Sequence, residues 1–459
     1  MRVLFAAAEV DPFAKVGGLG DVAAALPQRL REMGHDVHVV APYHNVTRER
    51  VLASTLRREL PVAFLGTLHT VNIVTVEGRG GVPVDLLYDG HFFGREAVYG
   101  EPDDLLRYQF FCRSILAMLT EDGWTPDILH INDWHTASLA FALRDLAWAN
   151  PGLRGIASVF TIHNLRYRGP DAFNDFLAQA IYYSDMITTV SAAYAREILT
   201  PEFGEGLEQL LGLRQDALVG IINGLDDDLF NPQTDGHIKA QYDAASIDRR
   251  SQNTAALRAE LGFPPSGGPL AGMVTRLTEQ KGIDIVIQAA PELAAAGAQL
   301  VVLGDGDASL ERDFLRLQAE FPAHVRLAAR FDERLAQRIY AGVDVFLMPS
   351  RYEPCGLGQL IAMRYGAVPI GRRTGGLSDT IVDLQEHPGS ATGFLFDDFS
   401  VIALMSTFER ALAAFREHDV WVRLQRNGMN HDYSWRASAL RYVEVYVSAL
   451  RSRGVLPHN

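Results

Sequence analysis

The sequence predicts an α/β protein with two doubly wound domains, each built around a parallel sheet. Strand-length apolar runs alternate with helical patterns in both halves of the 459-residue chain. A breaker-rich segment, FPPSGGP at 263–269, separates the two series. Polar residues follow most of the apolar runs, which is typical of the carboxyl ends of parallel strands, where ligands bind in α/β proteins. With 48% hydrophobic residues, a chain of this length is expected to form two or three domains.

The amino-terminal half begins with a predicted strand over 3–8, a helix over 21–33 and a strand over 37–41. Two β-rich runs between 62 and 88 flank the glycine-rich turn at 78–81, and this pattern predicts an antiparallel hairpin. Further strands are expected at 128–131, 159–162, 186–190 and 219–222. Because each ends in polar residues, these loops are expected to form one rim of a parallel sheet.

The second series of predicted strands lies at 270–274, 300–303, 325–327, 345–348 and 368–370, with helices between them. We therefore predict an amino-terminal domain over 1–245 and a carboxy-terminal domain over 246–437. The link between them falls between about 240 and 268, where the composition changes. The remaining residues, 438–459, are expected to form a helix able to pack back on the amino-terminal domain.

The net charge disfavours two classes of partner. Forty-two Lys and Arg against 56 Asp and Glu give −14, so the cationic surplus needed to bind nucleic acid or an anionic membrane is missing. Only Cys112 and Cys355 are present, which excludes a disulfide framework and favours a reducing cytoplasm. Glu9 and Asp11 interrupt the first apolar run, so we interpret it as a strand and not as an export signal. No uncharged apolar run is long enough for a membrane helix.

A glycine-rich turn with a lysine follows the first predicted strand. It runs Lys15-Val16-Gly17-Gly18-Leu19-Gly20-Asp21 and leads into a helix. Glycines at such a position let the backbone approach a ligand, and Lys15 adds a positive charge. The spacing is not that of the dinucleotide fingerprint. Two interpretations remain open at this point: a ligand-binding turn, or an ordinary tight turn with a solvated lysine.

The segment from Asp344 to Thr380 carries the most chemistry. Val345 to Met348 is a short buried strand by its pattern, Pro349 and Ser350 interrupt it, and a helix is predicted from Gly356 to Tyr365. Glu353 and Cys355 then lie in a loop at the carboxyl end of a strand. The backbone N–H groups of Gly356, Leu357 and Gly358 lie at a helix N-terminus, which suits a phosphate.

Two cations follow the first strand of the carboxy-terminal half. Arg276 and Lys281 lie in TRLTEQKG, where Arg offers a bidentate fork and Lys a point charge, the pair that a diphosphate needs. A solvated helix face is the alternative. It is less favoured because the Glu353 segment supplies a complementary helix N-terminus in the same predicted domain.

Taken in chain order, these motifs resemble those of the bacterial glycogen synthases. The matching stretches span nearly the whole chain: KVGGLGDV at Lys15, NDWHT at Asn132, TIHN at Thr161, TPEFGEGLE at Thr200, INGLD at Ile222, TRLTEQKG at Thr275, PSRYEPCGLGQL at Pro349 and RRTGGLSDT at Arg372. The resemblance implies a GT-B fold, in which two Rossmann-like domains face each other across a crevice. It also implies transfer of glucose from ADP-glucose to the non-reducing end of an α-1,4-glucan, with retention of configuration and without a metal or other cofactor.

The resemblance also implies roles for individual residues. Arg276 and Lys281 would bind the diphosphate, Lys15 with Gly17 and Gly18 would approach the phosphate and glucose, and Glu353 would bind glucose and stabilise charge at the anomeric carbon. The implied catalytic residues are Glu353, His163, Lys15, Arg276 and Lys281. The implied donor-binding residues are Lys15, Gly17, Gly18, Asp133, Asn223, Arg276, Lys281, Phe331, Glu353, Cys355, Gly356, Leu357 and Gly358. Phe331 would lie against the adenine, although a core position is an equal alternative.

The chain departs from the family pattern at Gly358, where a polar side chain is common, and at the basic stretch 165–168. The loss of a side-chain contact at Gly358 is expected to weaken donor binding modestly. Two other functions stay open: the same reaction with UDP-glucose as preferred donor, and a non-catalytic sugar-nucleotide sensor. A phosphorylase is disfavoured because no pyridoxal-phosphate lysine motif is visible. The pattern does not determine the oligomeric state.

Overall fold

The computed structural model describes residues 1–47, 56–95, 97–121, 123–169 and 175–455. By its contacts the chain divides into two compact units. The amino-terminal domain comprises Met1–Asn223 and Trp435–Asn459, and the carboxy-terminal domain comprises Gly224–Ser434. Both contain α/β sheets, as the sequence predicted.

Within its described residues, the amino-terminal domain has a sheet of nine strands. They are β1 (Arg2–Ala6), β2 (Asp36–Pro42), β3 (Leu56–Phe64), β4 (Thr67–Glu77), β5 (Pro83–Tyr88), β6 (Ile128–Asn132), β7 (Ala157–Ile162), β8 (Met186–Thr189) and β9 (Leu218–Gly220). Their order is β3-β4-β5-β2-β1-β6-β7-β8-β9. The β4–β5 hairpin is antiparallel and flanks 78–81, as predicted. Strand β3 extends the hairpin by pairing antiparallel with β4, and the other pairs are parallel.

The helices of this domain before residue 223 are α1 (Gly18–Glu32), α2 (Asp104–Glu121), α3 (Asp133–Ala149), α4 (Phe176–Tyr183), α5 (Ala192–Glu197) and α6 (Glu208–Leu213). Helix α1 begins at Gly18, earlier than predicted, so part of the glycine-rich turn is helical. Alternate side chains of β1 and β2, among them Val3, Phe5 and Val39, form a buried core with Leu26 and Leu30 of α1. Strands β1 and β6 pair in parallel, so their carboxyl ends lie side by side.

The six strands of the carboxy-terminal domain are all parallel. They are β10 (Leu270–Val274), β11 (Gln299–Leu303), β12 (Val325–Ala328), β13 (Val345–Met348), β14 (Val368–Arg372) and β15 (Phe394–Phe396), in the order β12-β11-β10-β13-β14-β15. This is the Rossmann strand order. Successive strands are added on one side of β10 up to β12 and on the other side from β13 onward, so the switch point lies between β10 and β13. Ligands bind at such a switch point, outside the carboxyl ends of the strands.

The helices of the carboxy-terminal domain are α7 (Ser251–Glu260), α8 (Ile283–Ala295), α9 (Ala308–Glu320), α10 (Glu333–Gly342), α11 (Gly358–Arg364), α12 (Gly375–Thr380), α13 (Val401–Arg416) and α14 (His418–Asn430). The final helix, α15 (Trp435–Ser452), belongs to the amino-terminal domain. The polar segment 431–434 separates α14 from α15, so the predicted carboxy-terminal helix begins at Trp435 and not at 438.

The boundary between the domains differs from the predicted one. It lies between Asn223 and Gly224, and not at 245, because the segment after β9 folds onto the carboxy-terminal domain. Leu225, Ile238 and Tyr242 are buried in that domain's core, and the Tyr242 hydroxyl donates to the Tyr365 carbonyl at 2.7 Å. The second crossing falls between Ser434 and Trp435, slightly before the predicted residue 438.

Helix α15 packs against the amino-terminal sheet. Trp435, Tyr442 and Tyr446 are buried in the same core as β1 and β2. The Tyr446 hydroxyl and His130 Nδ1 are 2.7 Å apart, which ties the helix to β6. Within the described residues, no helix has the length and apolar character to cross a membrane.

Candidate active site

The loops at the switch point of the carboxy-terminal sheet are locked together by backbone contacts. The loop after β13, residues 349–358, is called the Glu353 loop below. The Arg351 N–H in it donates to the Gln280 carbonyl at 2.8 Å, and the Gly376 N–H donates to the Glu353 carbonyl at 3.0 Å. A Cβ at Gly282 or Gly376 would overlap the carbonyl oxygen of Pro349 or Cys355 respectively. Only glycine permits this spacing.

Lys281 and Glu353 form an ion pair at this point. Lys281 Nζ lies 2.6 Å from Glu353 Oε2, and the Ser350 hydroxyl donates to the same oxygen at 2.9 Å. Glu353 is only 5% exposed. The carboxylate is held by a cation and a hydroxyl in a partly dry environment, where electrostatic interactions are stronger than in water. The structure thus brings together two residues predicted from separate motifs.

Arg276 lies in the same loop as Lys281 but differs in its surroundings. Its side chain is exposed. Among the residues that the structure describes, its guanidinium group has no hydrogen-bond or ion-pair partner. Its guanidinium group is therefore available to an anionic ligand, and a guanidinium fork suits phosphate oxygens.

The Glu353 loop ends at α11, which begins at Gly358 and not at Gly356. The φ of Gly356 is 72°, a left-handed conformation that ends the loop before the helix. The N–H groups of Leu357 and Gly358 lie at the helix start, where no intrahelical acceptor exists. Cys355 is buried, and its carbonyl accepts from the Gln359 amide at 3.1 Å. A Cβ at Gly358 would lie 3.1 Å from Phe346 Cε1, so the site is tight but not blocked.

Phe331 lies in the loop between β12 and α10, and its side chain is 60% exposed. The core alternative for this residue is therefore wrong. An exposed aromatic ring in a loop at the carboxyl edge of the sheet has a face free for stacking.

In the amino-terminal domain, the turn after β1 is organised by Glu9, which the sequence analysis did not assign to the site. The Glu9 carboxylate accepts from the N–H groups of Val16 and Gly17, the latter at 3.0 Å. Glu9 is 2% exposed, and burial raises its pKa. Lys15 Nζ lies 2.6 Å from Asp21 Oδ1 and is largely exposed. A Cβ at Gly18 would have no neighbour within 4 Å, so the backbone there is open to a ligand.

Asp133, Asn132 and His163 meet at the ends of β6 and β7. Asp133 Oδ1 accepts from the His163 N–H at 2.8 Å, and His163 Nε2 lies 2.9 Å from Asn132 Oδ1. Asp133 has a φ of 53°, which is uncommon for a residue other than glycine and is found at functional sites. Burial raises the pKa of Asp133 to about 7 and lowers the pKa of His163 to about 4. His163 is thus neutral near neutral pH, and Asp133 is poised to titrate there.

Asn223 ends the amino-terminal segment of its domain and is 7% exposed. Its Oδ1 is buried, and no hydrogen-bond partner for it exists among the described residues. A buried amide oxygen without a partner is costly, which favours a role in contacting a ligand.

Glu9, Ser350 and Asp21 are the residues that sequence reasoning missed. Each acts by holding a predicted residue in place. Glu9 and Asp21 flank the glycine-rich turn, so an acid on either side of that turn was the available signal. For Ser350 the signal was its place three residues before Glu353. Across the described ranges, no group of three or more His, Cys, Asp or Glu side chains could hold a metal ion.

The comparisons with known proteins give the class first. The model of the starch synthase catalytic domain matches residues 2–212, and the model of glycosyl transferases group 1 matches residues 257–423. Together with two Rossmann-like sheets and a cation–carboxylate pair at a switch point, these matches define a two-domain glycosyltransferase of the GT-B fold.

Full-length relatives then give the family. The chain is 43% identical to "Glycogen synthase" from Syntrophotalea carbinolica, covering 98% of this chain and 99% of that protein. It is 42% identical to "Glycogen synthase 2" from Geobacter sulfurreducens, covering 99% of this chain and 100% of that protein. The chain belongs to the glycogen synthase family and is a hexosyltransferase.

A solved structure supports the same assignment. The catalytic domain of starch synthase IV from Arabidopsis thaliana, bound to ADP and acarbose, matches with a TM-score of 0.87 at 35% identity. The match covers 98% of this chain and 99% of that chain. The GT-B fold expected from the motifs is confirmed.

Proposed function

We propose that this protein transfers glucose from ADP-glucose to the non-reducing end of an α-1,4-glucan with retention of configuration. The observation that carries the proposal is the Lys281–Glu353 pair at the switch point of the carboxy-terminal sheet, in a chain similar over its full length to glycogen synthases. The nucleotide in the Arabidopsis starch synthase IV structure supports an adenine donor. The exposed Phe331 ring is our candidate for stacking on that base.

Charge develops at two places as the glucose–phosphate bond breaks, since the sugar becomes positive while the departing ADP becomes negative. We assign stabilisation of the departing ADP to Arg276, Lys281 and the N–H groups at the start of α11, because fixed cations and dipoles stabilise charge without reorganising. Lys281 already holds Glu353, so it would connect the diphosphate with the carboxylate beside the sugar. These cations act in place of a metal in our proposal, so a chelator should leave activity intact.

Glu353 is assigned to the glucose. Its carboxylate would accept hydrogen bonds from glucose hydroxyls and stabilise the oxocarbenium-like carbon. We do not assign it as a covalent nucleophile; the leaving phosphate would itself take the proton of the attacking acceptor hydroxyl. Attack from the face of the leaving group retains the configuration.

Further roles are assigned to residues of the amino-terminal domain. Lys15, Gly17 and Gly18 are assigned to the phosphate and glucose, and Glu9 fixes the backbone of that turn. We assign neutral His163, with Asp133 and Asn223, to hydrogen bonding with hydroxyl groups of the sugar and acceptor. A cytoplasmic location is also proposed, because Cys112 and Cys355 are buried and form no disulfide, which suits a reducing compartment.

The test measures nucleotide release from ADP-glucose and from UDP-glucose with glycogen, for the wild type and for Glu353→Ala. We expect glycogen-dependent release of ADP that Glu353→Ala abolishes. Faster release from UDP-glucose would establish the alternative donor. Binding of ADP without release from either donor would establish a sugar-nucleotide sensor and contradict the proposal.

A further inference from the structure

A ligand-sized cavity lies in the carboxy-terminal domain, and none of its lining residues belongs to the Glu353 loop. Its volume is about 540 Å³, within the range of small-molecule sites. It is lined by the irregular segments around Asn231 and Asp243, by Arg364 at the last position of α11, and by Arg426 and Asn430 of α14. A smaller cavity of about 290 Å³ shares Arg364, Met429 and Asn430 with it.

Two arginine side chains line this cavity, and the terminal nitrogens of their guanidinium groups are free to bind a ligand. Arg364 Nε donates to the Phe230 carbonyl at 3.3 Å, and Arg426 Nε donates to the Ala244 carbonyl at 3.0 Å. Within the described part of the chain, the terminal nitrogens of both guanidinium groups have no hydrogen-bond or ion-pair partner. Each guanidinium group is therefore held in place through Nε, and its two terminal nitrogens stay available to bind an oxyanion. A freely solvated arginine would not be anchored in this way.

The charge of the lining favours an anion. The one carboxylate among the lining residues is Asp243. It accepts hydrogen bonds from the Ser246 N–H at 2.8 Å and the Ser246 hydroxyl at 2.7 Å. Two cations and one internally bonded carboxylate leave a positive surplus, although the whole chain carries −14. The amide side chains of Asn231, Gln233 and Asn430 can form hydrogen bonds with hydroxyl groups that a ligand carries beside its anionic group.

We propose that this cavity binds a small phosphorylated metabolite, whose phosphate is held by Arg364 and Arg426 and whose hydroxyl-bearing body meets the amides. Arg364 ends the helix that begins at Gly358 of the Glu353 loop. Seven residues of α-helix span about 10 Å, so an occupant that fixes Arg364 acts on the far end of a rigid element of the donor site. The cavity is thus a regulatory site for donor binding.

The binding test uses glycerol 3-phosphate as the probe, with glycerol as the uncharged control. Titration calorimetry is run with ADP present at saturation, so that the donor site is occupied. We expect the wild type to bind the probe, and the double variant Arg364→Ala/Arg426→Ala to bind it at least about tenfold more weakly, as the loss of charge-assisted hydrogen bonds predicts. Arg423→Ala is the matched control, because Arg423 is exposed on the same helix and does not line the cavity.

The single variant Arg426→Ala is used in case the double variant does not fold. It should fold normally, because Arg426 is exposed and its removal leaves the Arg364–Phe230 contact intact. Absence of probe binding to the wild type, or equal binding by wild type and variants, would overturn the site.

The regulatory part is tested by the KM for ADP-glucose. It should change when the probe saturates the wild type but not Arg426→Ala, and an unchanged wild-type KM would refute it. The binding readout does not depend on catalysis, so it can succeed or fail independently of the proposed function.

Discussion

The chemistry assigned to this protein rests on a few buried charges, and Glu353 is the first of them. We predict that Glu353→Gln lowers kcat by about 10²–10³-fold, the effect typical of losing one preorganised electrostatic group. ADP should bind with nearly unchanged affinity, because the amide keeps the shape of the loop. Initial rates of ADP release and titration with ADP separate the two effects.

Ser350→Ala is the control for Glu353→Gln. It removes one hydrogen bond to the same oxygen but leaves the charge and the Lys281 pair intact. A loss in kcat as large as that of Glu353→Gln would mean that the loop geometry, and not the negative charge, is what catalysis requires.

Asp133 provides a test through pH. Burial raises its pKa to about 7 from the ordinary 3.8. Between these values the folded protein retains a proton that the unfolded chain releases, so the contribution of Asp133 to stability falls as pH rises from about 4 to about 7. We predict that the thermal midpoint of the wild type drops more between about pH 5 and about pH 8 than that of Asp133→Asn. Parallel pH curves for the two proteins would contradict the raised pKa.

At the scale of elements, the site depends on loops that interlock at glycines. A Cβ at Gly376 would overlap the Cys355 carbonyl oxygen and push the Glu353 loop away from α12. We predict that Gly376→Ala destabilises the protein by on the order of 2–3 kcal/mol, as overpacking does, and also weakens ADP binding. Thermal unfolding and ADP titration measure both.

Gly389→Ala is the matched control for Gly376→Ala. Gly389 lies in an exposed loop of the same domain, and a Cβ there would have no neighbour within 4 Å. Its stability and ADP affinity should match the wild type. If Gly376→Ala behaves like Gly389→Ala, the loops are not locked as described.

The elements also show what a sequence can and cannot predict. Strand β13 was predicted at its observed ends, because Val345–Met348 is an apolar run stopped by Pro349. Helix α11 is shorter than predicted because Gly356 has a left-handed φ of 72°, and its carbonyl accepts from the Gln359 side-chain amide at 2.9 Å. Glu9 escaped prediction because its carboxylate reaches the N–H groups of Val16 and Gly17 only once the turn has folded back towards it.

At the scale of the whole molecule, the chain passes from one domain to the other twice, between Asn223 and Gly224 and between Ser434 and Trp435. The segment after β9 lacks helical or strand periodicity, so its membership in the carboxy-terminal domain could not be read from the sequence. Its burial through Leu225 and Tyr242 decides the boundary. The general order of strands and helices, in contrast, followed from periodicity and breaker residues, although the short strand β15 was not predicted.

The return of α15 to the amino-terminal domain yields a stability prediction. Tyr446→Phe removes the hydroxyl that meets buried His130 Nδ1. Leaving that nitrogen unpaired should lower the free energy of unfolding by about 1–3 kcal/mol. Ser448→Ala is the control, since the Ser448 hydroxyl lies on the exposed side of the same helix and donates only to the Glu444 carbonyl. Chemical denaturation that finds both variants equal to the wild type would contradict the anchoring role of Tyr446.

The central claim is that Arg276 and Lys281 hold the diphosphate of the sugar nucleotide in the carboxy-terminal domain. The most direct measurement is calorimetric titration of ADP into the wild type, Arg276→Ala and Lys281→Ala. We predict that each variant binds ADP about tenfold to a hundredfold more weakly, because each loses a charge-assisted contact with a phosphate. Wild-type affinity for ADP in both variants would contradict it.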